Sequence, residues 1–206
     1  MKRLMLVFFF LFALAQIGFA DENKKVLVLD DFEGEIIAGM GGTIDAGSGN
    51  GSSVEVSADK ANKKNGQQSL KITYDAVSGG YIWVARGYGL DVKGASRWLI
   101  EPEKIDWTKY GAISFYMLGS GSGVKLAFDV KDAGGEIFRF IATDDSKGWK
   151  LIVCSFDQLS ARTDWQPQTA TANGTLDFPI KSFQFEPLPV SKGAWNMDEV
   201  ALEPLN

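Results

Sequence analysis

From residue 69 onward the chain repeats one device. A run of seven to nine residues places apolar, β-branched and aromatic side chains at alternate positions, and a short cluster of Gly, Asn, Asp or Ser ends it. The runs are SLKITYD (69–75), GYIWVARG (80–87), AISFYML (112–118), VKLAFDVKD (124–132), EIFRFIATD (136–144), WKLIVCSF (149–156), IKSFQFEPL (180–188) and MDEVALE (197–203). A period of two over such lengths predicts β-strands. No stretch carries the 3.6-residue period of an amphipathic helix, so the pattern predicts an all-β fold. Its form is a two-sheet antiparallel β-sandwich of eight or nine strands, because a parallel sheet would need helical crossovers. GSGSG (119–123) and DAGGE (132–136) read as hairpin turns; neither opens a helix or carries the Lys-Ser/Thr of a phosphate-binding loop. Two polar stretches break the rhythm, 38–53 and 160–175. They read as rim loops, which either bind something or are slack.

Alternation also sorts side chains by face. Ile113, Phe115 and Met117 fall together, leaving Tyr116 on the other side; Leu126, Phe128 and Val130 leave Asp129; Phe138 and Phe140 leave Arg139; Phe183 and Phe185 leave Gln184 and Glu186. Tyr116, Asp129, Arg139, Gln184 and Glu186 therefore form a polar set able to share one sheet. An ordinary solvated face, with salt bridges between Arg139 and the acids, is the alternative. Beside it, GGYIWVARGYG (79–89) holds Tyr81, Trp83 and Arg86 in a strand and turn too polar and glycine-flanked to be all core. Which of its two alternating sets faces outward stays open. Trp107 and Trp149 read as plugs of the core.

The first twenty residues stand apart from this pattern. Lys2 and Arg3, an apolar run from Leu4 to Ala15, and small residues at Gly18 and Ala20 have the build of a cleavable signal peptide. The run is short for a membrane span, so the expected product is one domain, residues 21–206, released to the periplasm or exterior as a monomer with no membrane span. The formal net charge is −5 and both leading cations lie in the leader, which argues against nucleic acid as a partner. Histidine is absent, which removes Ser-His-Asp and Cys-His catalysis. The single cysteine, Cys154, sits in an apolar strand and reads as a buried, inert thiol.

The order of several motifs adds a resemblance. LDDFEG, NGQQSLKITYD, IDWTKYGAISFYMLGSGSGVKLAFDVKDAGGEIFRF, DDSKGWKLIVCSFDQL and WNMDEVAL resemble the successive signatures of jelly-roll carbohydrate-binding modules of the family 11 type, in the galactose-binding-like group. The resemblance runs from Val26 to Glu203. The middle motif is also similar to the domain of complex I intermediate-associated protein 30. The resemblance implies a poly- or oligosaccharide ligand, β-glucan-like, held in a concave sheet groove by aromatic stacking and hydrogen bonds. Tyr81, Trp83, Arg86, Tyr116, Asp129, Arg139, Gln184 and Glu186 are then the ligand-binding candidates. It also implies a structural calcium ion where the chain start meets the final strand, with Glu33, main-chain oxygens from Lys64 to Gly66, and Asp198 as ligands. Hard oxygen donors from distant segments suit that ion; a solvated acidic turn is the alternative for Asp30, Asp31 and Glu33. A pair of catalytic carboxylates has no sequence signature here, so the expected protein is not an enzyme. A cell-envelope protein bound to the same face is the alternative function.

Overall fold

In a computed structural model, which describes residues 25–205, the strand prediction becomes two packed antiparallel sheets. The leader assigned to residues 1–20 lies outside the described residues. The strands are β1 (Leu27–Asp30), β2 (Asp45–Gly49), β3 (Ser53–Asp59), β4 (Ser69–Ala76), β5 (Tyr81–Gly87), β6 (Tyr110–Ser120), β7 (Lys125–Lys131), β8 (Ile137–Thr143), β9 (Lys147–Ser155), β10 (Ser160–Ala161), β11 (Ser182–Pro187) and β12 (Ser191–Pro204). One sheet runs β3-β4-β12-β6-β9, with β1 also on β12; the other runs β10-β8-β7-β11-β5-β2. All eight runs found by alternation are strands. The stretch 38–53, expected as a loop, instead contains β2 and the turn that carries the chain across to β3 in the other sheet, because its glycines and serines hide a strand that packs no bulky side chains of its own.

The core lies between the sheets and is built by the predicted inward set. Phe115 from the first sheet meets Phe128 and Phe185 from the second at ring-centroid distances of 4.7 and 5.1 Å. Trp195 and Met197 of β12 and Leu126, Val130 and Phe183 of the facing sheet are buried beside them. Burial of this kind contributes roughly 1.5–3 kcal/mol for each large apolar side chain. Trp107 is buried as expected, with its indole N–H donated to the carbonyl of Pro102 at 2.9 Å. On β9, Ile152 and Cys154 face inward while Leu151 and Val153 are exposed. Burial pushes the Cys154 thiol well above its ordinary range, consistent with an inert role.

Strand β12 ties the two chain ends together. Along one edge it pairs β4 from Ser191 to Met197 and then β1 from Val200 to Leu202; along the other it pairs β6. Its register with β6 slips between Asp198 and Ala201, where Glu199 takes a left-handed φ of 49°. Opposite this irregularity stands the loop 64–68. Backbone N–H groups of Lys64 and Asn65 donate to Asp198 Oδ2 at 2.8 and 3.2 Å, and those of Gln67 and Gln68 donate to Glu33 Oε1 at 2.7 and 3.2 Å.

Candidate functional site

The second sheet carries a groove of about 650 Å³ on its outer face, within the size range of small-ligand sites. Sheet register builds its floor. Arg139 of β8, Asp129 of β7, Gln184 of β11, Ala85 of β5 and Asp45 of β2 are successive cross-strand partners, so one row, polar except at Ala85, crosses five strands. Glu186 lies two places from Gln184 on the same face of β11.

Within that row the charges are committed to one another. Arg139 donates from Nε and Nη2 to the two oxygens of Asp129, at 2.7 and 2.8 Å, and from Nη2 to Glu186 Oε2 at 2.6 Å. Arg162, just beyond β10, donates from Nη1 to Asp129 Oδ2 at 3.1 Å and to Glu186 Oε2 at 3.0 Å, and from Nε to Asp164 Oδ1 at 2.7 Å. Gln184 Nε2 approaches the same two carboxylates at 3.4 and 3.3 Å. Burial alone would disfavour the charge on Arg139, but Asp129 and Glu186 outweigh it and hold the guanidinium above its ordinary value. Burial pushes Glu186 up, partly offset by Arg139 and Arg162.

The aromatic part of the groove stands on β5. Tyr81 and Trp83 point outward with ring centroids 6.0 Å apart and planes within 21° of each other, and Tyr81 is 50% exposed. Together they make a flat, two-ring ledge. Trp83 donates its indole N–H to Asp45 Oδ1 at 2.9 Å. Trp165, 56% exposed, lines the groove from the 160–175 stretch beside Arg162, whose guanidinium carbon lies 5.9 Å from the indole centroid. Gln166 fixes that stretch by pairing its amide with both the N–H and the carbonyl of Ile137, at 2.8 Å each.

Six of the eight residues named from sequence therefore meet on one face: Tyr81, Trp83, Asp129, Arg139, Gln184 and Glu186. Two do not. Arg86 turns to the opposite face of β5, where its Nε lies 3.2 Å from Asp30 Oδ2 in the buried interior and its guanidinium packs over Phe32; the period of two that exposes Tyr81 and Trp83 sends it inward. Tyr116 belongs to the other sheet, opposite Asp198 and under the ammonium of Lys64 at 4.9 Å. Sequence reasoning missed Asp45, Arg162 and Trp165. A lone tryptophan in a polar loop was the one signal available for them.

At the chain-end clasp, Asp31, Glu33, Asp198 and Glu199 line a second, smaller cleft of about 260 Å³. Gly66 has φ +60°, and a Cβ there would fall 2.9 Å from the Glu33 carboxyl carbon, so glycine admits the side chain. Burial raises Asp198, and burial with the neighbouring acids raises Glu199. The charge suits a divalent cation. In the loop, Lys64, Asn65, Gln67 and Gln68 turn N–H groups toward the carboxylates. Among the described residues no three acidic side chains group closely enough to hold a metal ion.

Comparison with known proteins bears on the family and the fold. The model of the carbohydrate-binding domain of family 11 matches residues 20–203. Endoglucanase H of Acetivibrio thermocellus is 28% identical over 183 residues, 85% of this chain but 18% of that protein's length. The family 11 module of Clostridium thermocellum, solved in complex with a β-1,3-1,4-mixed-linked tetrasaccharide, is 24% identical and covers 87% of this chain and 95% of its own, with a TM-score of 0.67. The family 11 module of a cellulosomal cellulase of the same organism is 22% identical, covers 88% and 96%, and has a TM-score of 0.66. These structures share the fold.

Proposed function

The chain belongs to the carbohydrate-binding domains of family 11, and from that membership we propose that it binds a β-glucan-like chain without cleaving it, outside the cytoplasm. The observation that carries the reading is the ledge of Tyr81 and Trp83 beside a polar row on the same sheet. Flat apolar rings meet the C–H faces of sugars, and adjacent carboxylates and amides accept and donate to their hydroxyls. Asp129 and Glu186 already hold guanidinium groups. That disposition suits them to orienting hydroxyls, and it leaves them poorly placed to serve as the acid and base of a glycosidase. The leader-like first twenty residues support secretion, and among the described residues no helix is long and apolar enough to cross a membrane.

A glycan array followed by calorimetry tests the proposal. Soluble β-glucan oligosaccharides are expected to bind, and a blank array would overturn it. The ion-pair network favours a second reading, a cell-envelope protein seated on the same face; capture of a protein with no glycan response would establish that instead.

Calcium at the clasp is the associated proposal. Glu33 and Asp198 would be its carboxylate ligands, with main-chain oxygens from Lys64 to Gly66, and it would fasten the first strand to the last. Calcium is expected to raise the melting temperature by binding the folded chain only. An unchanged melting temperature after chelation would remove the ion from the account and leave the hydrogen-bonded clasp.

A further inference from the structure

We infer that Asp45 and Gly47, on the edge strand β2, are positioning residues for Trp83. The inference rests on the glycan reading only for what the ring does once it is held. Gly47 is the cross-strand partner of Trp83 and Gly49 that of Tyr81. A Cβ on Gly47 would fall 2.5 Å from Trp83 Cζ2, and one on Gly49 would fall 2.7 Å from Tyr81 Cε1. Neither glycine has a left-handed φ, so it is the missing side chain, and not backbone freedom, that these positions use. Each ring lies down across the strand next to its own. Aromatic cover of an edge-strand glycine is a known way of stabilising both partners.

Asp45 sets the remaining degree of freedom. Its Oδ1 accepts the indole N–H at 2.9 Å, while Oδ2 accepts the backbone N–H groups of Asp91 and Val92 at 3.2 and 3.4 Å. The carboxylate is thus held from the loop side and in turn holds the one polar atom of the indole. Glycine at 47 lets the ring lie flat, and Asp45 selects which flat orientation it takes. A ring fixed before the ligand arrives loses little freedom on binding, which raises affinity without adding a contact.

The test is a pair of double-mutant cycles in the full chain, with Trp83→Phe as the second background because Phe lacks both the N–H and the far ring atoms. The probe is the β-1,3-1,4-mixed-linked tetrasaccharide. Asp45→Ala and Gly47→Ala are each expected to weaken binding about tenfold with Trp at 83 and less than about twofold with Phe at 83. In Asp45→Ala the Trp83 Nε1–H resonance should also shift and exchange faster with solvent. Equal losses in both backgrounds, or an unmoved Nε1–H resonance, would overturn the assignment. A parent chain that binds no tetrasaccharide would defeat the glycan reading alone, and the indole resonance would still decide the positioning role.

Discussion

Trp83→Ala is expected to abolish measurable binding of soluble β-glucan while leaving the melting temperature within a few degrees of the parent. Central aromatic anchors carry about 2–4 kcal/mol of binding when truncated, a loss of roughly thirty- to several-hundred-fold in Kd. Stability should be spared because the indole lies on the outer face of β5, over Gly47, while the core beneath that strand is made by Ile82 and Val84. Tyr81→Ala should lose less, since that ring stands half exposed at the end of the ledge. Glu33→Ala, at the clasp, should bind as the parent does. Calorimetry on the three variants beside thermal melts separates the outcomes. Full affinity in Trp83→Ala would move the ligand off this ledge, and an equal loss in Glu33→Ala would mean that a damaged fold was being measured.

The eight runs from Ser69 onward were legible because each turns a row of large apolar side chains to the core and smaller or polar ones away, which writes a period of two into the residues. β2 was not, because Asp45, Gly47 and Gly49 serve their neighbours' rings and carry no apolar pattern of their own. The face of β5 was ambiguous for a related reason. Arg86 is polar and looked solvent-facing, yet it is buried against Asp30, and no local pattern marks a buried ion pair in advance. Arg162 and Trp165 reach the groove only because Gln166 and the 132–136 hairpin fold their loop back over β8, with Thr171 donating to the Gly134 carbonyl at 2.9 Å. That return is a tertiary event with no signature within the loop. The meeting of Glu33, the 64–68 loop and Asp198 joins segments more than a hundred residues apart, so only the family resemblance anticipated it.

Asp129→Ala is expected to show a large loss of stability, from a residue that contacts solvent through 1% of its surface. Its carboxylate receives three hydrogen bonds from two guanidinium groups, themselves mostly buried. Removing it leaves Arg139 and Arg162 to share Glu186, with Asp164 mostly exposed at the rim. Breaking a buried pair from one side costs about 3–5 kcal/mol, because the surviving charge stays desolvated without its partner. For a domain of this size that is a fall in melting temperature of roughly 10 °C. Replacing Arg139 by Met in the same chain should return part of the loss, since one orphaned cation is then removed and its volume kept. A fall below about 1 kcal/mol would class the network with exposed surface pairs, which contribute little. The groove would then be a salt-bridged surface, with neither its floor nor its ledge held in advance. A large loss that Arg139→Met partly reverses would mean that the floor is built for rigidity, and that the aromatic ledge on β5 and β2 stands on a sheet already fixed before any ligand binds.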